Sequence, residues 1–239
     1  LYSSVTAKLG KLLNTGSDVI TMSGEGMLIL WGALKSCLGR GDRLLCIDTG
    51  VFGGGFADMG AAIGCQAEKV SFAPDSTINQ GEAMQRIEDA VKRFRPKMIT
   101  VVHCETPSGT INPLAELGAL KERLGVPLLC VDAVSSLGGL EVRADDWNVD
   151  ILMGGSQKCL SAPPSMCFAS VSARAWDEAQ KVGYSGYDSF LSFKNAHKAV
   201  FPYTPYRQGT AALNEALDMI FEEGLEACFA RHARVAGEA

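Results

Sequence analysis

Apolar positions along this chain keep two rhythms, and the alternation between them predicts the order of elements. Val5, Leu9, Leu12 and Leu13 recur at helical spacing over residues 2–13, and Asn14-Thr15-Gly16 ends that run. Val19-Ile20-Thr21-Met22 is a short strand, and Ser23-Gly24-Glu25-Gly26 leads from it into the apolar helix Met27–Leu34. Arg43–Asp48 predicts the next strand, Thr49–Gly55 a glycine-rich turn, and an amphipathic helix follows through Met59 and Ile63. Gln66–Phe72 alternates like a strand, and Glu82–Phe94 sets Ala83, Ile87, Ala90 and Val91 on one helical face.

Lys97–His103 and Pro127–Val131 are buried-looking strands on either side of the amphipathic helix Leu114–Leu124. Asp150–Gly155 and Met166–Val171 add two more strands, and residues 173–182 are helical. Tyr184–Tyr206 is irregular and aromatic-rich, and a single long helix is expected from Gln208 to about Ala236. Strands this uniformly apolar are covered on both faces, which predicts an α/β protein with a mostly parallel sheet between helix layers.

Composition narrows the class without naming a function. Hydrophobic residues at 47% and charged residues at 21% of 239 describe an ordinary globular chain with room for a large core. A net charge of −5, with both signs mixed, excludes a basic nucleic-acid footprint. No apolar run approaches the roughly 20 residues that span a bilayer. The eight cysteines form no C-x-x-C pair, and Cys46, Cys130 and Cys167 sit inside strand-like runs, so buried thiols from a reducing compartment are expected. His103, His197 and His232 have no metal-ligand spacing, and no metal is expected. The chain opens without Met, signal peptide or transit pattern, and Gly237-Glu238-Ala239 follows soon after a helical pattern, so a fragment of a longer protein is expected.

The candidate chemistry lies where apolar runs end. Asp150–Gly155 closes in two glycines, and Ser156-Gln157-Lys158 follows, placing a lysine at a strand end, where open α/β sheets hold ligands. A lone lysine there reads as a surface residue. Asp132, closing another buried strand, changes that: it must cap the next segment or find a charged partner. Together the two suggest a pyridoxal-phosphate site, with Lys158 as Schiff base and Asp132 as partner of the pyridinium nitrogen. The Ser23–Gly26 turn offers free N–H groups to an anion, though such glycines serve tight packing as readily. Phe52 could stack on a planar ring or simply fill the core. Cys104–Thr110 is either a ligand-contacting loop or a plain turn.

Four segments in order carry a family resemblance: Ser23–Gly26, His103–Gly109, Val131–Gly139 and Gly155–Pro164. They resemble class V aminotransferases, above all the alanine–glyoxylate and serine–pyruvate enzymes. The resemblance implies the three-layer α/β/α large domain of fold-type I pyridoxal-phosphate enzymes over residues 1–206. Residues 207–239 would then be a connector helix toward a small C-terminal domain that is largely absent. It implies Lys158 and Asp132 as catalytic residues, with Val134 packed on the ring and Phe52 stacked on it. It likewise implies Thr106 near the ring oxygen, Gln157 in contact with the phosphate, and Gly24, Gly26 and Met27 in the phosphate-binding turn. Thr204 would reach the neighbouring subunit's phosphate, which implies a homodimer with composite sites.

The expected activity is transamination of a small amino acid, of alanine or serine type, with glyoxylate or pyruvate, in a cytoplasmic or peroxisomal protein. Rival readings are a cofactor-binding but catalytically incomplete fragment, a class V desulfurase or lyase, and a nucleotide-binding Rossmann protein. The last lacks its fingerprint. Many relatives have histidine at Met27 and tryptophan at Phe52. Glu25 puts a carboxylate near the presumed phosphate, unfavourable at close range unless it turns outward. The arginine that grips the substrate carboxylate belongs to the absent domain and is assigned to neither Arg207 nor Arg231.

Overall fold

A computed structural model of the chain describes residues 1–73, 75–79, 82–196 and 201–238. Tyr2–Leu12 forms helix α1 and Asp18–Ser23 strand β1, after which Gly26–Cys37 makes α2 and Arg43–Asp48 makes β2. Helix α3 (Val51–Ala62), strand β3 (Gln66–Ser71), helix α4 (Ala83–Phe94) and strand β4 (Met98–Val102) continue the alternation. Helix α5 (Leu114–Arg123) leads to β5 (Leu128–Asp132), β6 (Ile151–Gly155) and β7 (Met166–Val171). Then come α6 (Ala173–Val182), the single-turn α7 (Phe190–Phe193), α8 (Arg207–Glu223) and α9 (Leu225–Glu238).

Among the described residues the strands form one seven-stranded sheet in the order β1-β7-β6-β5-β4-β2-β3. The pairings from β6 through to β3 are parallel, and β7 runs antiparallel to both its neighbours. Alternation along each strand decides the layering. In β5, Leu128 and Cys130 face one core while Leu129 and Val131 face the other; in β2, Leu44 and Cys46 are set against Leu45 and Ile47 in the same way. One core takes Leu9 of α1, Ile87 of α4, Leu117 of α5 and Leu213 of α8. The other takes Ile29 of α2, Phe56 of α3, Trp176 of α6 and Phe190 of α7. This is the expected three-layer arrangement with a mostly parallel sheet.

A buried ion pair ties the amino-terminal edge of the central strands to the helices. Asp150, ahead of β6 and 1% exposed, accepts from Leu129 N at 2.8 Å, and Lys121 Nζ of α5 lies 2.7 Å from it. Ser172 Oγ and Arg174 Nε donate to its other oxygen at 3.0 and 3.1 Å. The carboxyl-terminal edge is left for ligands.

Two elements depart from expectation. The glycines at 53–55 lie inside α3 rather than in a turn ahead of it, and packing demands the first of them. A Cβ at Gly53 would sit 2.6 Å from Ile47 O, and one at Gly50 would sit 2.7 Å from Glu105 Cδ. The long C-terminal helix is two helices, broken at Gly224 with φ 88° and ψ 134°, a backbone that only glycine adopts readily. Past the break, Cys228 is buried with its Sγ 3.1 Å from Gly138 O, so α9 docks beside the loop after β5.

Five thiols are buried, as expected, while Cys65, Cys104 and Cys159 are partly exposed. Burial pushes the Cys37, Cys46 and Cys167 thiols up to about 12, which keeps them unreactive. His197 lies outside the described residues. No helix among the described residues is long and apolar enough to cross a membrane.

Candidate active site

The site assembles where β4, β5 and β6 end. Asp132 is the last residue of β5 and only 4% exposed; its Oδ1 accepts from Val134 N at 2.9 Å. Burial pushes its carboxyl up to about 6, although the Val134 hydrogen bond pulls the other way. A buried acid held this far from its ordinary range suits a cationic partner supplied by a ligand. The loop that follows is anchored by His103, whose Nδ1 lies 2.9 Å from Ser136 Oγ. Burial lowers that imidazole to about 4, so it stands as a neutral hydrogen-bonding post.

Lys158 is brought in by the glycine pair at the end of β6. A Cβ at Gly154 would lie 2.5 Å from the Phe168 ring, so the strand closes on its neighbour only with glycine there. Ser156 N donates to Met166 O and Ala162 N to Ser156 O, both at 2.9 Å, and the tight loop between them carries Gln157 and the half-buried Lys158. Gln157 Oε1 is buried with no hydrogen-bond partner.

Phe52 sits in the first turn of α3 rather than in a turn ahead of the helix. Glu105, fully buried in the loop after β4, accepts from Phe52 N at 3.3 Å and from Gly53 N at 2.8 Å. The neighbouring Thr106 hydroxyl is hydrogen-bonded to that of Ser135. At the head of α2, Gly26 packs so closely that a Cβ on it would come within 2.9 Å of Val134 Cγ2. Glu25 caps that helix: its Oε2 accepts from Met27 N at 3.0 Å.

Gly26, Met27, Phe52, Thr106, Asp132, Val134, Gln157 and Lys158 all line one cavity of about 300 Å³. Gly24 and Thr204 do not; Gly24 N donates to Ser165 O, and Thr204 is exposed between α7 and α8. Sequence reasoning missed Leu30, Val102 and Ser135 in the lining. Leu30 lies one helical turn beyond Gly26, Val102 ends β4, and Ser135 follows Val134, so position alone could have pointed to them.

Two much larger clefts, of about 850 and 960 Å³, contain no aromatic side chain. The second, lined by Arg43, Gln66, Lys97 and Pro127, lies at the amino-terminal edge of the parallel strands, the wrong edge for a ligand in this architecture. The smaller cavity is the better site.

A pyridine ring fits it. Asp132 could meet a protonated ring nitrogen, Phe52 and Val134 could flank the ring, and Lys158 could engage an aldehyde. The phosphate end fits less well, because Glu25 already holds an N–H of the helix head.

Comparison with known proteins gives the same class. A family model described as aminotransferase class-V matches residues 8–239. An uncharacterised aminotransferase of Methanocaldococcus jannaschii is 37% identical over 99% of this chain and 61% of its own length. A serine–glyoxylate aminotransferase of Methylorubrum extorquens is 34% identical over 95% of this chain and 58% of its own. The crystal structure of pyridoxamine–pyruvate aminotransferase from Mesorhizobium loti superposes with a TM-score of 0.91 at 32% identity, covering 99% of this chain and 60% of that one. The chain thus spans about 60% of the length of the relatives it matches. Its layers are those of fold type I, and pyridoxal phosphate is the cofactor of that class. With a match running from residue 8 to the last residue, the chain belongs to the class V aminotransferases.

Proposed function

We propose that the chain carries the cofactor site of an enzyme that transaminates a small amino acid, of alanine or serine type, with glyoxylate or pyruvate. The observation behind this reading is that Lys158 and Asp132, 26 residues apart (158 − 132), line the same cavity at the carboxyl edge of the sheet. Bound pyridoxal phosphate supplies an aldehyde that takes up an amino group and a pyridinium ring that accepts an electron pair. Lys158 would hold that aldehyde, and its amine, when free, would serve as the base that takes the proton from the substrate Cα. Asp132 keeps the proton on the pyridine nitrogen. Phe52 and Val134 hold the ring flat, and Gly26, Met27 and Gln157 are placed to meet the phosphate arm.

The substrate carboxylate needs a cation that these residues do not supply. Arg231 donates through Nε and Nη2 to the two oxygens of Glu223, at 2.7 and 2.8 Å. Residues 207–239 would lead toward a smaller domain carrying that arginine, and the exposed Thr204 would complete the site of a second subunit in a homodimer. Glu25 favours a second reading of the amino donor, the phosphate-free pyridoxamine on which the Mesorhizobium relative acts.

Borohydride trapping tests the core of the proposal. The loaded protein should carry a stable adduct on the peptide containing Lys158, and a full-length version should convert glyoxylate or pyruvate when donors are screened. An adduct elsewhere removes Lys158 from the role. Binding without turnover by the 239-residue chain supports the incomplete-fragment reading, and sulfide release supports a desulfurase.

A further inference from the structure

At the head of α2, an N–H group that would meet the cofactor phosphate already has an acceptor. Glu25 precedes the helix, and its Oε2 lies 3.0 Å from Met27 N. A carboxylate is stabilised here by the same features that draw a phosphate, namely unpaired N–H groups and the positive end of the helix dipole. The two anions therefore compete for one place.

The charges around the cavity do not relieve that competition. Among the described residues lining it, Asp132 is a second carboxylate and Lys158 is the one cation. A phosphate monoester brings close to two further negative charges. A hydroxymethyl group brings none, and its O–H can donate to a carboxylate oxygen. Gln157 can turn its amide to present either a donor or an acceptor, so it accepts both arms. The fixed negative charge is that of Glu25.

We propose that Glu25 reads the charge on the ring's 5′ arm. It weakens the hold on the phosphate of pyridoxal phosphate and admits the phosphate-free ring, pyridoxal or pyridoxamine, to the same cavity as a competing ligand. The inference rests on the reading that this cavity takes the ring, and it adds the residue that sets which form of the ring is held.

Equilibrium dialysis of the full-length protein, in a buffer free of phosphate, against pyridoxal phosphate and against pyridoxal tests this directly. The wild type should bind the two within ~10-fold of each other. Glu25→Gln removes the charge, and Glu25→Ser leaves a short capping hydroxyl. Both should tighten pyridoxal phosphate by ~10-fold or more while pyridoxal changes less than ~3-fold. Glu25→Asp keeps the charge and should keep the wild-type ratio. Glu25 is exposed and serine is a good N-cap, so helix α2 survives these changes, with circular dichroism as the check. A wild type that holds pyridoxal phosphate ~100-fold tighter than pyridoxal, or a ratio that Glu25→Gln does not move, overturns the role of Glu25 and leaves the ring site standing. If the wild type binds neither ring, the site reading falls and takes this inference with it.

Discussion

Glu105 Oε1 lies 2.8 Å from the amide nitrogen of Gly53, and through that bond a fully buried carboxylate from the loop after β4 closes the first turn of α3. Its second oxygen reaches Phe52 N at 3.3 Å, so the aromatic beside the cavity is placed by an acid far away in sequence. Glu105→Gln keeps one acceptor oxygen but turns an NH₂ toward an N–H, which leaves a buried donor unpaired. Urea unfolding should show a loss of ~1–3 kcal/mol, and ring binding should weaken as Phe52 shifts. If stability falls while ring affinity holds, Glu105 supports the helix without positioning Phe52.

At the opposite edge of the sheet, Lys121 and Asp150 are 0% and 1% exposed and 2.7 Å apart. Lys121→Met removes the ammonium and leaves Asp150 with Arg174, Ser172 and Leu129 N as partners. Breaking a buried pair costs ~3–5 kcal/mol, and the retained Arg174 contact sets the expectation at the lower end. Denaturant midpoints of Lys121→Met, Asp150→Asn and the double variant form a cycle, and the double variant should lose less than the two single losses added together. Additive losses would show that the pair is not coupled.

The break at Gly224 makes a third case. With φ at 88° and ψ at 134°, an alanine there is strained whatever the space around it. Gly224→Ala should cost on the order of 1–3 kcal/mol, or release α9 from the loop after β5. Hydrogen exchange at Cys228, buried against Gly138 in the native chain, separates the two outcomes. Unchanged protection together with unchanged stability would mean that the strain is absorbed elsewhere.

The order of strands and helices was legible because each central strand is apolar on both faces and each helix carries a stripe such as Ile87 and Val91. Asp132 and Lys158 were legible for a related reason: a charge that interrupts or closes a buried run is conspicuous. Partnerships set by tertiary structure were not. The glycines at 53–55 read as a turn, and only Ile47 O and the buried Glu105 explain why the helix needs Gly53. Glu105 itself looked like one polar residue of a loop, since the amides it caps lie 52 and 53 residues earlier. Gly224 fell inside the expected long helix, because a positive φ leaves no trace in the hydrophobic period.

Asp132 links the site to the stability of the whole domain. Its carboxyl rises from the ordinary 3.8 to about 6, chiefly through burial. A raised folded-state value means that the folded chain holds this proton more tightly than the unfolded chain does. The resulting stabilisation is complete below about pH 4 and lost as the pH climbs through about 6. Above that range the ionised acid costs the cofactor-free protein up to ~3 kcal/mol. Asp132→Asn keeps an oxygen to accept from Val134 N and removes the charge, so it should raise stability at pH 8 and flatten the profile between pH 4 and 6. The same change takes away the anion that would hold a proton on the pyridine nitrogen, so ring binding and turnover should fall together. Chemical unfolding of the cofactor-free wild type and variant across that pH range, alongside ring titrations, checks both halves. A variant that is less stable at pH 8 and has an unaltered slope would mean that the carboxylate is already satisfied within the protein, and its reservation for a ligand would be wrong.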